Sequence, residues 1–237
     1  MNFLKKLFSK KVDILPDPTQ YSEGDIFYTT VNGKYYIYKM LVIEAAHDVY
    51  HVMSFAPLDH TPTISDINNL KVVAFHLPFN TKAFRGATIL TSLKIKSEEL
   101  IGYHEYLRQT HSPEQYLPIA DSYYQAALKL TDDKKHEEAI DSYSKAIDLC
   151  PQFFEAIDNR AFCKMDLGLW VEAIKDFELS LSTKPNSLLA EFSIGECCFK
   201  MGDFQKARQH FQKAHEIDPN HDATIKFLKE LTRNRRI

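Results

Sequence analysis

The sequence predicts an α+β chain of two domains. A small, bent antiparallel β-rich domain over residues 1–112 precedes an all-α array of helical hairpins, closed by a capping helix, over residues 113–237. Three observations carry this. Runs rich in tyrosine and β-branched residues, punctuated by turn residues, fill the first half. The second half repeats itself: Pro151, Pro185 and Pro219 lie 34 residues apart, as do Ala139, Ala173 and Ala207, and Tyr143, Phe177 and Phe211. Ala146, Ser180 and Ala214 keep the same step, and glycine turns at Gly168 and Gly202 separate apolar-periodic segments as helix–turn–helix punctuation does.

The elements follow in order. Residues 1–12 (MNFLKKLFSKKV) interleave Phe3, Leu4, Leu7 and Phe8 with four lysines. They lack the continuous apolar core and cleavage site of a signal peptide. Contact with an anionic membrane as a short amphipathic helix is one reading; a frayed or docked terminal helix is the preferred one. A strand is expected at 26–31. Asn32-Gly33 then gives a tight hairpin turn, because both turn positions need positive φ. Strands follow at 34–44 and 49–55, separated by a turn around 46–48, with a short helix near 64–70 and strands at 71–77 and 87–95. In the second strand Tyr35, Ile37, Leu41 and Ile43 are expected on one face, and Tyr36, Tyr38, Met40 and Val42 on the other. A strand apolar on both faces is covered on both sides or curled into a barrel. Ser97 is expected to cap a helix reaching Gln109, and the two prolines of residues 110–118 to mark the domain junction.

Aligned on the closing proline, the hairpins are residues 120–153, 154–187 and 188–221, with a capping helix at 222–236 whose Ala223, Phe227, Leu228 and Leu231 form one apolar stripe. Small residues at the helix crossing allow close approach. The first hairpin departs from the others, with Lys134-Lys135-His136 at its turn and Ala127 where the third has Gly195. The period, the Glu-Ala-Ile segments at 138–140 and 172–174, and the closing prolines resemble the tetratricopeptide repeat (TPR).

That resemblance implies binding of a protein or peptide by a concave surface lined by the first helix of each repeat. The positions it marks are Tyr124 and Leu128; Asp158, Asn159, Phe162 and Met165; and Leu189, Phe192, Ser193, Glu196 and Phe199. This aromatic surface with a few carboxylates suits a peptide with apolar anchors and a basic residue. TPR domains that grip the acidic tails of large chaperones do so with a clamp of Lys, Asn, Asn, Lys and Arg. Here only Asn159 matches it; Tyr124, Leu128, Leu189 and Ser193 stand at the other four places, so that ligand is not expected. The competing expectation for the aromatics is that the N-terminal domain or the capping helix covers them.

Other function classes find little support. A net charge of −3 is far from what phosphate-backbone binding needs, so no nucleic acid is expected. Cys150, Cys163, Cys197 and Cys198 lack metal or redox spacing and read as buried residues of a reducing cytosol. His47, His51, His60 and His76 lie near Asp25, Asp48 and Asp59 in sequence, yet no catalytic or metal motif includes them, and seven glycines in the whole chain argue against a phosphate-binding loop. No catalytic residue, metal or cofactor is expected. Gly24-Asp25-Ile26-Phe27 and Asn32-Gly33-Lys34-Tyr35 resemble small bacterial domains of the toxin-immunity type, which implies an alternative: an inhibitor that binds its target through the sheet. The expectation is thus a cytoplasmic, bacterial, non-enzymatic adaptor of undefined oligomeric state.

Overall fold

The computed structural model describes residues 21–233, and the chain divides into two compact units, 1–103 and 104–237. The expected amphipathic segment 1–12 and the end of the capping helix, 234–236, lie outside the described residues.

The first unit is a five-stranded antiparallel sheet in the order β4-β3-β2-β1-β5. Its strands are β1 (Asp25–Val31), β2 (Lys34–Glu44), β3 (Val49–Phe55), β4 (Val72–Asn80) and β5 (Thr88–Ser92). The hairpin β1–β2 turns at Asn32 (φ 50°) and Gly33 (φ 76°), the left-handed pair that matches strand twist. Asp48 (φ 55°) closes the next turn after a single 3-10 turn, Ala45–His47. The segment Ile64–Asn69 is 3-10 rather than α, held at its start by Asp66 accepting from the Thr63 N–H at 2.8 Å.

The expected faces of β2 hold only as far as Leu41. There β2 carries a bulge: Met40 pairs Val52 while Val42 pairs His51, leaving Leu41 as the extra residue. One added residue reverses the alternation. Ile43 therefore packs with Tyr38 and Met40, against Phe27, Val52, Phe84 and Tyr21, instead of with Ile37. The sheet is open at β4 and β5 rather than closed into a barrel, and it is covered on both sides. On the first face Phe84 forms an aromatic cluster with Phe27, Tyr38 and Phe79 at centroid distances of 4.9–5.0 Å. On the other face Lys39 is buried, held by both Glu99 carboxylate oxygens at 2.7 Å and by the Lys94 carbonyl at 3.2 Å.

Glu99 also accepts from the Lys96 N–H at 2.8 Å, so the expected Ser97 cap is replaced by a carboxylate reaching back across a 3-10 turn, Ser97–Glu99. The helix α1 (Ile101–Thr110) starts after it. Gly102 is needed there, since a Cβ would lie 2.9 Å from the His76 Cβ and 3.0 Å from Phe75.

The second unit holds the rest of α1 and seven further described helices. They are α2 (Pro113–Asp132), α3 (His136–Leu149), α4 (Phe154–Asp166), α5 (Trp170–Thr183), α6 (Leu188–Lys200), α7 (Phe204–Ile217) and α8 (Asp222–Arg233). They form three antiparallel hairpins, α2–α3, α4–α5 and α6–α7, with α8 packed on α7. The residues read as a junction are corrected: Pro113 is the first residue of α2 and Pro118 lies inside it. Proline at the first helical position costs no hydrogen bond, and Gln115 reaches back to the Ser112 N–H at 2.9 Å. At the hairpin turns Gly168 (φ 74°) and Gly202 (φ 81°) are left-handed, and Lys134 (φ 61°) adopts the same conformation where the first hairpin lacks the glycine.

The cores repeat as the helices do. Ala139, Ala173 and Ala207 are fully buried, as are Tyr143, Phe177 and Phe211, each set at its repeat offset. At the third crossing a Cβ on Gly195 would come within 2.6 Å of the Phe211 ring. The His104 Nδ1–H of α1 donates to Asp148 Oδ2 of α3 across 2.6 Å, and the Arg108 guanidinium donates to the Asp148 carbonyl, tying α1 to the first hairpin.

Candidate functional site

The first helices of the hairpins, α2, α4 and α6, carry every residue the sequence marks for the concave surface. On α2, Tyr124 and Leu128 are half-buried over the first hairpin core. Tyr124 stacks at a tilt on Phe153 at 4.8 Å, and its hydroxyl accepts from Asn159 Nδ2 on α4 at 3.1 Å. Asn159, the one residue at a clamp position of the right type, is thus engaged with a neighbouring helix. On α4, Phe162 meets Phe177 edge-on at 5.3 Å, and Met165 packs beside it on the same core.

On α6, Leu189 is exposed, and Phe192 and Phe199 are half-buried. Both phenylalanines touch Phe227 of the capping helix, at 5.8 and 5.3 Å, so α8 covers part of each. Ser193 is corrected. It is 1% exposed and cannot line an open surface.

Two carboxylates give this surface its electrostatics. Asp158 is half-buried, its Oδ1 is inaccessible to water, and the Ser180 hydroxyl is its polar neighbour. Burial raises its carboxyl above the usual range, Ser180 and Lys184 act the other way, and Glu155 adds to the rise. Glu196 is likewise raised by burial, against the smaller effects of Lys200 and His221. The Tyr124 phenol is raised by burial and then by Glu155, with Asp121 adding a lesser part, which brings Asp121, Tyr124 and Glu155 into one electrostatic neighbourhood.

Sequence reasoning missed the ion pairs beneath this surface. Asp176, 4% exposed, takes the Arg160 guanidinium on both oxygens at 2.8 and 2.9 Å and Lys164 at 2.6 Å, while Arg160 also donates to Ser144. Glu191 pairs with His210 at 2.7 Å and Lys213 at 3.5 Å. Arg160 and Lys164 stand one turn apart on α4, which is the signal that a single carboxylate on the next helix could serve both.

The histidines weighed for catalysis lie around Glu44 and Asp66 in the sheet unit. His51 and His76 are stacked, with Nδ1 and Nε2 2.8 Å apart, beside Tyr103, and Glu44 lies 3.4 Å from His51. Burial, then the neighbouring His51, lowers His76 to about 4, with Glu44 opposing. His60 bonds Asp66 at 3.1 Å, and His47 approaches Glu44 at 3.6 Å. Among the described residues no three His, Cys, Asp or Glu side chains converge on one point as metal ligands would. Cys163, Cys197 and Cys198 are buried free thiols, and burial pushes Cys197 up to about 12.

Three hairpins with a small residue at each crossing, an aromatic at each core centre and a proline after each second helix define the array, and family models described as tetratricopeptide repeat match residues 120–153 and 189–221. The C-terminal half carries tetratricopeptide repeats. The middle repeat, 154–187, has the same signature residues at the same offsets. The chain is 34% identical over 85 residues to the human DnaJ homolog subfamily C member 7, a match covering 36% of this chain and 17% of that one. It is 28% identical over 123 residues to the Hsp70-Hsp90 organizing protein 2 of Arabidopsis thaliana, covering 52% of this chain and 22% of the relative. It therefore spans about a fifth of the length of these curated relatives.

Among solved structures, the first TPR of Spaghetti bound to the HSP90 peptide SRMEEVD is similar with a TM-score of 0.47 at 22% identity, covering 50% of this chain and 94% of that one. The Sgt2 TPR domain from Aspergillus fumigatus gives 0.46 at 26% identity, covering 50% and 80%. No described helix is long and apolar enough to cross a membrane.

Proposed function

We propose that this protein is a non-enzymatic adaptor that binds a peptide or protein partner on the face of its repeats formed by α2, α4 and α6. The observation that carries this reading is the pairing of half-buried aromatics with carboxylates that no lysine or arginine neutralises on that face, Phe162 beside Asp158 above all. A surface serving only the fold would pair or expose such carboxylates, as Asp176 is paired below it. Phe162, Phe192 and Phe199 are the proposed apolar anchors; aromatic anchors at interface centres are each worth about 2 kcal/mol or more. Phe162 is the principal one, because Phe192 and Phe199 are partly occupied by Phe227. The repeat half, 113–237, is the proposed binding domain, and the cytoplasm the proposed location.

Affinity capture from a lysate tests the reading with the intact chain and the Phe162→Ala/Phe192→Ala/Phe199→Ala variant, folding being checked by circular dichroism. Partners retained by the native chain and lost by the folded variant support it. Partners held equally by both would move the binding surface elsewhere, first to the β-sheet of residues 1–112, as the immunity-like alternative requires.

A further inference from the structure

The repeat face has a charge that specifies what it can hold. Read at spacing i, i+3, i+7 on each first helix, it presents Asp121, Tyr124 and Leu128, then Glu155, Asp158 and Phe162, then Leu189, Phe192 and Glu196. Four of these positions are carboxylates and none is lysine or arginine. None of the four forms an ion pair among the described residues, whereas the two buried carboxylates of the same unit, Asp176 and Glu191, are each matched to basic side chains. The nearest cations act from outside the face: Lys184 lies over the Phe154 ring at 5.3 Å, and Lys200 and His221 influence Glu196 from beyond ion-pair distance.

Burying a carboxylate without a partner is unfavourable. Asp158 bears this most: it is half-buried without an ion pair, burial outweighs the Ser180 hydroxyl and the more distant Lys184, and Glu155 adds like charge. A cation arriving with a ligand would relieve it, together with the like-charge crowding from Glu155. An acidic ligand would add repulsion.

We infer that the segment held on this face carries a lysine or arginine flanked by apolar side chains, the cation meeting Asp158 with Glu155 and Asp121, and the apolar neighbours resting on Phe162 and Leu189. This rests on the reading of the face as the partner site, and it names the chemistry of the occupant: a basic–apolar peptide.

The test is selection of a random-sequence peptide phage library on the full-length protein, followed by binding of the selected synthetic peptides to variants. Peptides whose binding is lost in Phe162→Ala are those of the face. Leu189→Ser, at an exposed side chain, serves the same purpose if Phe162→Ala is unstable. The expected result is enrichment of lysine and arginine in these peptides over the starting library. Their affinity should fall roughly tenfold or more in the Glu155→Gln/Asp158→Asn variant and weaken with added salt, as charge pairs at an interface do. Face-dependent peptides that are acidic or neutral, or that bind the amide variant equally well, overturn the inference while leaving the site intact. Selected peptides indifferent to Phe162 and Leu189 alike overturn the site as well.

Discussion

Gly195→Ala should destabilise the third repeat even though alanine is the better helix former. The added Cβ would stand 2.6, 2.7 and 3.1 Å from three atoms of the Phe211 ring, well inside ordinary contact. Phe211 is fully buried and has no room to retreat: it is stacked on Phe227 at 4.8 Å and meets Phe192 at 5.5 Å. Overpacking of this kind costs about 1–3 kcal/mol. Replacing glycine within a helix returns about 1 kcal/mol. The net is a loss of up to about 2 kcal/mol, small enough to leave the fold intact and, with three ring atoms at 2.6–3.1 Å, expected in the measurable upper part of that range. Trp170, the only tryptophan in the chain, is half-buried on the same core, so its fluorescence during urea unfolding follows this part of the array. The midpoint should drop, and adding Phe211→Leu should make the pair less destabilised than the sum of the single changes. An unchanged or higher midpoint, or strict additivity, would refute the argument that ring contact selects glycine here.

Other expectations follow from the same reasoning. Asp176→Ala would leave Arg160 and Lys164 without their shared carboxylate and should cost about 3–5 kcal/mol by thermal or urea unfolding, whereas simultaneous loss of all three charges should cost less. Lys134→Gly should stabilise the first repeat by up to about 1 kcal/mol, since Lys134 occupies a left-handed position that Gly168 and Gly202 fill in the others. His76 has a folded-state value depressed to about 4 from 6.5, so it favours the fold above the ordinary histidine range. That contribution is lost as pH falls from about 6.5 towards 4. Allowing for solvent around the half-buried ring, it amounts to about 1–2 kcal/mol, read as acid sensitivity that His76→Gln should reduce. Asp158 shifts the other way: its raised carboxyl favours the fold at low pH and ceases to do so as pH rises through the folded-state value. Asp158→Asn should therefore raise stability at neutral pH and flatten its fall as pH rises above the ordinary carboxylate range, measured by urea unfolding from acid to neutral pH.

The parts legible in the sequence are those set by local chemistry repeated at fixed spacing. Asn32-Gly33 could only be a tight turn, and the strands on either side begin and end where the tyrosine and β-branched runs do. The repeats were legible because each small residue and each ring has the same packing task at the same offset. What escaped depended on contacts distant in sequence. The bulge at Leu41 moves Ile43 across the sheet, and nothing in an apolar run marks which residue will be extra. Ser112-Pro113 with Gln115 is a helix start that two prolines disguised as a linker. Among the site residues, helical spacing placed Phe162, Met165 and Leu189 on the repeat face, but Ser193 is buried because α6 is enclosed on most sides, with Ala190, Ile194, Cys197 and Cys198 buried on the same helix. That Phe227 would share Phe192 and Phe199 depended on where the capping helix docks.

The most direct test of the central claim is site-specific photocrosslinking of the full-length protein in lysate, with a benzophenone side chain placed in turn at positions 162, 189 and, on the sheet, 73. A partner joined at 162 and 189 and not at 73 is the predicted result. A partner joined only at 73, with the repeat positions silent, would contradict the assignment of the binding site to the repeats.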